Sequence, residues 1–195
     1  MMRILISIAA LLLATAATAQ TAPAPVEEPK TTTRTFDSQR AVGAATITRD
    51  AEAGTFNRDV TVTRKSDGAT MTNSMTRTRT ETGMSIEQNR TGFDGSTSGR
   101  TYQRTRTEDG FTESGTRTRR DGSTTNLEGS LVRGDGGATR TRTLTDADGN
   151  ILANRNVQAS RNANGQVARN IQATGNQRLL RAAGPRAGGR PGRPG

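Results

Sequence analysis

The sequence predicts an all-β protein: an antiparallel sheet of tandem β-hairpins, a meander either open or loosely closed, with a disordered N-terminal leader and C-terminal tail. Three observations lead there. Asp-Gly pairs recur at Asp67-Gly68, Asp94-Gly95, Asp121-Gly122 and Asp148-Gly149, 27 residues apart each time. Between these pairs the residues alternate with period two and are rich in Thr and Val, as strands are. No stretch carries apolar residues at the 3.6-residue spacing of a helix face.

Taken in chain order, residues 1–19 have the plan of a secretory signal peptide. Arg3 precedes an apolar run from Ile4 to Leu13, and the small residues Ala17-Thr18-Ala19 form a cleavage site. The run is shorter than the roughly 20 apolar residues of a membrane-spanning helix. The expectation is an exported chain, periplasmic or extracellular, with no transmembrane segment once residues 1–19 are removed. Residues 20–39, with Pro23, Pro25 and Pro29, read as a flexible leader.

Residues 40–174 read as five 27-residue hairpin units. Four start at the Asp-Gly pairs (67–93, 94–120, 121–147 and 148–174), and a degenerate copy fits at 40–66. Each unit has a second turn signal near its middle: Gly54, Glu81-Thr82-Gly83, Asp109-Gly110, Asp135-Gly136-Gly137 and Asn164-Gly165. In a two-residue hairpin turn both central residues need positive φ, which Gly, Asn and Asp tolerate best. One unit is therefore two strands and two turns, and the five units make about ten strands. A tail over 175–195, rich in Arg, Gly and Pro, has no means of building a core.

Alternation assigns two faces. One carries Thr, Ser and Asn. The other carries apolar residues such as Phe56, Val60, Ile86, Tyr102, Leu127 and Leu144, mixed with Arg. Residues 20–195 contain 21 Leu, Ile, Val and Phe, about 12%, a supply that suits disorder better than a conventional core. Arg stems lying over the apolar residues, cross-strand pairs and Thr propensity are expected to compensate in a thin sheet.

Composition narrows the chemistry. The chain has no Cys, His or Trp, so disulfides and the usual metal and proton-transfer side chains are absent. Six of the 18 acidic residues are aspartates directly before a turn Gly (Asp67, Asp94, Asp109, Asp121, Asp135 and Asp148) and read as turn formers. No catalytic, cofactor-binding or metal-binding residue is predicted, and the chain reads as non-enzymatic. Asp146-Ala147-Asp148-Gly149-Asn150 resembles the start of a calcium loop, but Ile151 and Val157 stand where an EF-hand has Gly and Glu. A membrane β-barrel needs an apolar band and aromatic girdles, and alternating Thr and Arg with five aromatic residues does not provide them.

The segment Asp146 to Leu152 also resembles the hairpin repeats of large secreted bacterial shell proteins of the tyrosine-aspartate type. The paired Tyr-Asp of that family is absent and the period differs, so no residue role carries over.

The formal charge is +10, and nearly all the basic residues are Arg. Arg77, Arg79, Arg104, Arg106, Arg117, Arg119, Arg140 and Arg142 project two per strand toward one face. They form a candidate polyanion-binding surface, partly neutralised by Glu81, Glu108 and Glu113. The partners this implies are anionic polysaccharide, lipopolysaccharide phosphates or extracellular nucleic acid. The rival expectation is self-assembly into an extracellular fibre of stacked β-units.

Overall fold

A computed structural model describes residues 28–183. The region read as a signal peptide, the start of the leader and the end of the tail lie outside the described residues. Eleven antiparallel strands form one open sheet in strict chain order, each paired only with its sequence neighbours. They are β1 (Lys30–Asp37), β2 (Ala41–Asp50), β3 (Thr55–Arg64), β4 (Thr70–Thr80), β5 (Gly83–Thr91), β6 (Thr97–Thr107), β7 (Gly110–Thr118), β8 (Thr124–Gly134), β9 (Gly137–Asp146), β10 (Ile151–Arg161) and β11 (Val167–Gly175). A short helix, α1 (Gln177–Ala183), follows. The expected meander is present, and it is open.

Two elements fall where the sequence suggested none. Strand β1 lies within the presumed leader. Its β-branched Thr31, Thr32, Thr33 and Thr35 pair with β2 in continuous register, so strand propensity wins once a partner edge is available. Helix α1 lies within the presumed tail. Asn176 caps it, its Oδ1 accepting from the Arg178 and Leu179 amides, which supplies two of the donors a helix start leaves open.

The Asp-Gly turns also differ from expectation. Only glycines have positive φ among the described residues, so these are not turns with both central residues left-handed. Between β5 and β6 the Gly92 amide donates to Ser96 O at 2.7 Å, the Gly95 amide donates to Gly92 O at 3.0 Å, and Gly95 has φ 75°. This is a right-handed turn closed by a left-handed glycine, the three-residue hairpin solution. Asp94 Oδ1 accepts from the Ser96 amide and hydroxyl. One period later Arg119, Asp121, Gly122 and Ser123 repeat the arrangement. The Asp is there for its acceptor oxygen.

The mid-unit glycines have another role. A Cβ on Gly110 would lie 1.9 Å from Leu131 O, and one on Gly83 would lie 2.0 Å from Arg104 O. These positions let the neighbouring backbone approach closely.

A single transverse row runs through directly opposed residues of all eleven strands. Its first part is Lys30, Arg49, Phe56 and Arg77. It continues through Ile86, Tyr102, Gly115, Leu127, Leu144 and Ala153 to Gly175. Every buried apolar side chain of the sheet belongs to this second part, and Leu180 of α1 completes the cluster. A fully buried Leu contributes roughly 1.5–3 kcal/mol, so aligning the few available in one row concentrates a scarce resource.

Candidate functional site: the arginine face

Strand register fixes which side chains share a face. All eighteen basic residues within strands (Lys30 and seventeen Arg) fall on the face that carries the core row. Of the seven acidic strand residues, only Glu113 and Asp146 share that face; Asp37, Asp50, Asp59, Glu87 and Glu128 lie on the other. The opposite face is a hydroxyl and amide surface. Opposed pairs such as Thr31–Thr48 at 3.0 Å and Thr101–Thr116 at 2.8 Å hydrogen-bond across strands. The sheet thus has a cationic side and a neutral-to-acidic side.

The stagger of the repeat places several arginines opposite apolar or acidic residues, although Lys30 and Arg49, Arg100 and Arg117, and Arg142 and Arg155 are directly opposed. The row through Arg77 crosses β6 at Tyr102, two residues before Arg104, the equivalent of Arg77 one period later. A shift of two residues keeps each side chain on its face while moving it one rung along. Arg77 therefore lies between Phe56 and Ile86, and Arg104 between Met84 and Glu113. Arg140 lies between Leu131 and Val157. Guanidinium planes use the apolar neighbours: Arg104 sits 4.2 Å over the Phe111 ring centroid and Arg49 sits 5.4 Å over that of Phe56, within cation–π range.

Glu113 anchors the network. Its side chain is fully buried. Its Oε2 accepts from the Tyr102 hydroxyl at 2.8 Å and from Arg142 Nη2 at 3.3 Å. Its Oε1 accepts from Arg140 Nη2 at 3.1 Å and lies 2.7 Å from Arg142 Nε. Gly129, directly between Glu113 and Arg142 in the pairing, makes this reach possible: a Cβ there would lie 3.0 Å from Glu113 Cγ and Oε1. Burial pushes the Glu113 carboxyl upward, but the Tyr102 hydroxyl and the two guanidiniums outweigh it and hold the group below its ordinary 4.5. Burial raises the Tyr102 phenol, with the Glu113 bond and charge adding to the effect.

The eight arginines singled out from the sequence do not form one site. Arg77 and Arg79 line an open cleft near β1–β4 with Lys30 and Arg49, where Glu28 and Asp50 offset the charge. Arg117 and Arg119 line a central cleft of about 850 Å³ with Arg58, Arg90, Arg100 and Arg120. Arg140 and Arg142 line a cradle of about 360 Å³ beneath α1, with Arg155, Arg169 and Arg181. Arg104 and Arg106 lie near Phe111, outside these three concavities.

Sequence reading missed Lys30, Arg49, Arg58, Arg90, Arg100, Arg120, Arg155, Arg169 and Arg181. The alternation held the signal for the strand residues among them, but register was needed to bring them together. Of the expected neutralising acids, Glu113 forms ion pairs, whereas Glu81 and Glu108 sit in two-residue turns with no ion pair among the described residues.

Convergent guanidiniums offer bidentate, planar donor pairs for carboxylate, phosphate or sulfate. Among the described residues no helix is long and apolar enough to cross a membrane. Fold and surface together define a class: a single-sheet, all-β hairpin-repeat protein with one cationic face. No protein family, curated protein or solved structure matches the chain.

Proposed function

We propose that this is an exported, non-enzymatic protein whose arginine face holds anionic polymers of the cell envelope or matrix. Polysaccharide, lipopolysaccharide phosphates and extracellular nucleic acid all fit that chemistry. The observation that carries the reading is the complete segregation of strand basic residues to one face. A repeating row of half-buried guanidiniums suits many weak contacts with a repeating anion. Aromatic side chains are few: Phe56, Phe93 and Phe111 lie under arginines, Tyr102 is buried, and Phe36 is exposed, so base stacking has little support.

Such binding is dominated by counterion release and falls steeply with salt. The test is a salt titration of the full secreted chain against duplex DNA, a sulfated polysaccharide and lipopolysaccharide. With about six phosphate contacts, affinity should drop by about 10³ between roughly 50 and 200 mM salt. Affinity that stays constant over that range overturns the proposal.

One observation favours the fibre reading. Both edge strands are exposed along their whole length, and β11 presents Val167 and Ile171 there. Unpaired edges of this kind template further strands. With an odd number of strands, however, β1 and β11 run in the same direction. A head-to-tail join that keeps the arginine faces together must then be parallel, the slightly weaker pairing. A dye-binding and turbidity time course at low salt separates the readings: concentration-dependent fibres support assembly, and a solution that stays clear excludes it.

A further inference from the structure

We infer that the cradle beneath α1 is a discrete binding site for an organophosphate, a phosphate monoester carrying a short apolar chain. The inference rests on the reading that the arginine face binds anions, and it assigns one place on that face a defined ligand chemistry. Four elements, β9, β10, β11 and α1, deliver Arg140, Arg142, Arg155, Arg169 and Arg181 to a single concavity of about 360 Å³. The carboxylate within reach is Glu113, which pairs with Arg140 and Arg142. Five guanidiniums against one carboxylate leave a local excess of four positive charges. Arg155, Arg169 and Arg181 make no ion pair among the described residues.

Register adds a second argument. Arg142 and Arg155 stand directly opposite each other on β9 and β10, and like charges so placed repel. An anion seated between them turns that repulsion into two attractions. The doubly charged head of a phosphate monoester, with three terminal oxygens, can engage several guanidiniums at once.

The remaining walls set the rest of the ligand. Leu131, Val157 and Leu180 line the same cradle, whereas the larger central cleft is lined chiefly by polar and charged residues. The roof is fixed: Leu180 is buried in the core cluster, and Gln177 Nε2 donates to Asn154 O at 3.0 Å and to Thr174 O at 2.6 Å. Arg181 is therefore held over the site. A charged rim over an apolar floor selects an amphiphilic anion over a bare one.

The experiment is calorimetric titration of the full chain with octyl phosphate below its micelle threshold, with inorganic phosphate and octyl glucoside as the partial ligands. Octyl phosphate should bind at least about tenfold tighter than inorganic phosphate, since burying two methylenes suffices for that factor. Arg155→Gln and Arg169→Gln should each weaken octyl phosphate about tenfold. Arg77→Gln and Arg79→Gln, in the β1–β4 cleft, should leave it within about twofold, because exposed charges farther apart than a Debye length are screened. Circular dichroism confirms that each variant keeps its sheet. Vesicles containing phosphatidic acid distinguish a membrane-borne headgroup, which sediments the protein, from a free monoester, which binds without sedimentation; either result supports the site. Equal affinity for octyl phosphate and inorganic phosphate, or equal losses from R155Q and R77Q, overturns it while the polyanion reading stands on its own salt titration. A chain that binds neither octyl phosphate nor any polyanion overturns both.

Discussion

Strands β1–β4 and strands β5–β10 share one alternation and one transverse row, yet only the second group buries anything. No residue from Lys30 to Thr80 is buried, whereas Ile86, Tyr102, Glu113, Leu127, Leu144 and Ala153 all are. The difference lies in what opposes what. In the first part of the row Arg49 faces Phe56 and Phe56 faces Arg77. In the second, Ile86 faces Tyr102, Leu127 faces Leu144 and Leu144 faces Ala153. Helix α1 then covers that end, touching β7, β9 and β10. A hydrophobe-poor sheet gains a core where its apolar residues meet each other across strands. Where they meet arginine stems it gains only partial cover.

The largest test of that contrast is truncation in each half. Leu144 is 1% exposed, and Leu144→Ala should cost about 3 kcal/mol through lost burial and the cavity left behind. Val60, half-buried beside Ala45 and Asn73, should cost no more than about 1 kcal/mol as Val60→Ala. Denaturant unfolding followed by far-ultraviolet circular dichroism measures both. Equal losses would break the contrast and require a core that extends through β3.

Next in size is the buried carboxylate. Glu113→Gln leaves Arg140 and Arg142 without their counter-charge. Removing one partner of a fully buried pair costs about 3–5 kcal/mol, but the Arg140 side chain is 40% exposed, so about 2 kcal/mol is expected. The pH dependence carries the sign. The folded carboxyl lies below its ordinary 4.5, so its contribution is present above 4.5 and is lost as pH falls through the folded value. Thermal unfolding from pH 7 to pH 3 should show a shallower acid limb in the Gln variant than in the parent. Some slope should remain, because hydrogen bonds from Ser96, Ser123 and Asn150 likewise lower the Asp94, Asp121 and Asp146 carboxyls. Identical slopes would remove Glu113 from the account.

Fold class and face assignment were legible in the sequence because both depend on period two, which survives any register shift of two residues. Phe56, Val60, Ile86, Tyr102, Leu127 and Leu144 sit on the face expected of them, among the arginines. The row that aligns the core was not legible, since it depends on the stagger between units, and the stagger depends on turn geometry. The role of Glu113 was hidden for the same reason: Arg140 and Arg142 lie two strands away, across Gly129. Helix α1 escaped because Leu179 and Leu180 are adjacent and make no helical stripe. Its stability comes from the Asn176 cap and from docking of Leu180, and only the cap residue is visible in sequence. Strand β1 escaped because nearby prolines outweighed a threonine run that needed only a partner edge.

The smallest expected effect sharpens the contrast from the opposite direction. Gly68 and Gly122 stand two periods apart in sequence, one in each half, with φ 69° and 79° and no atom within 4 Å of where a Cβ would stand, although the Gly68 amide donates to Arg64 O across a four-residue loop and the Gly122 amide to Arg119 O across a three-residue one. Alanine at either position meets no clash and pays only for a left-handed backbone, about 1–1.5 kcal/mol. That strain is local, so Gly68→Ala and Gly122→Ala should destabilise by amounts within about 0.5 kcal/mol of each other, although truncation separates the two halves widely. Unfolding curves of the two variants decide it. A much greater loss from Gly122→Ala would mean that the turn feeds the adjacent core row and that the two halves differ in coupling as well as in burial. Matched losses would locate the whole difference in side-chain opposition along the row.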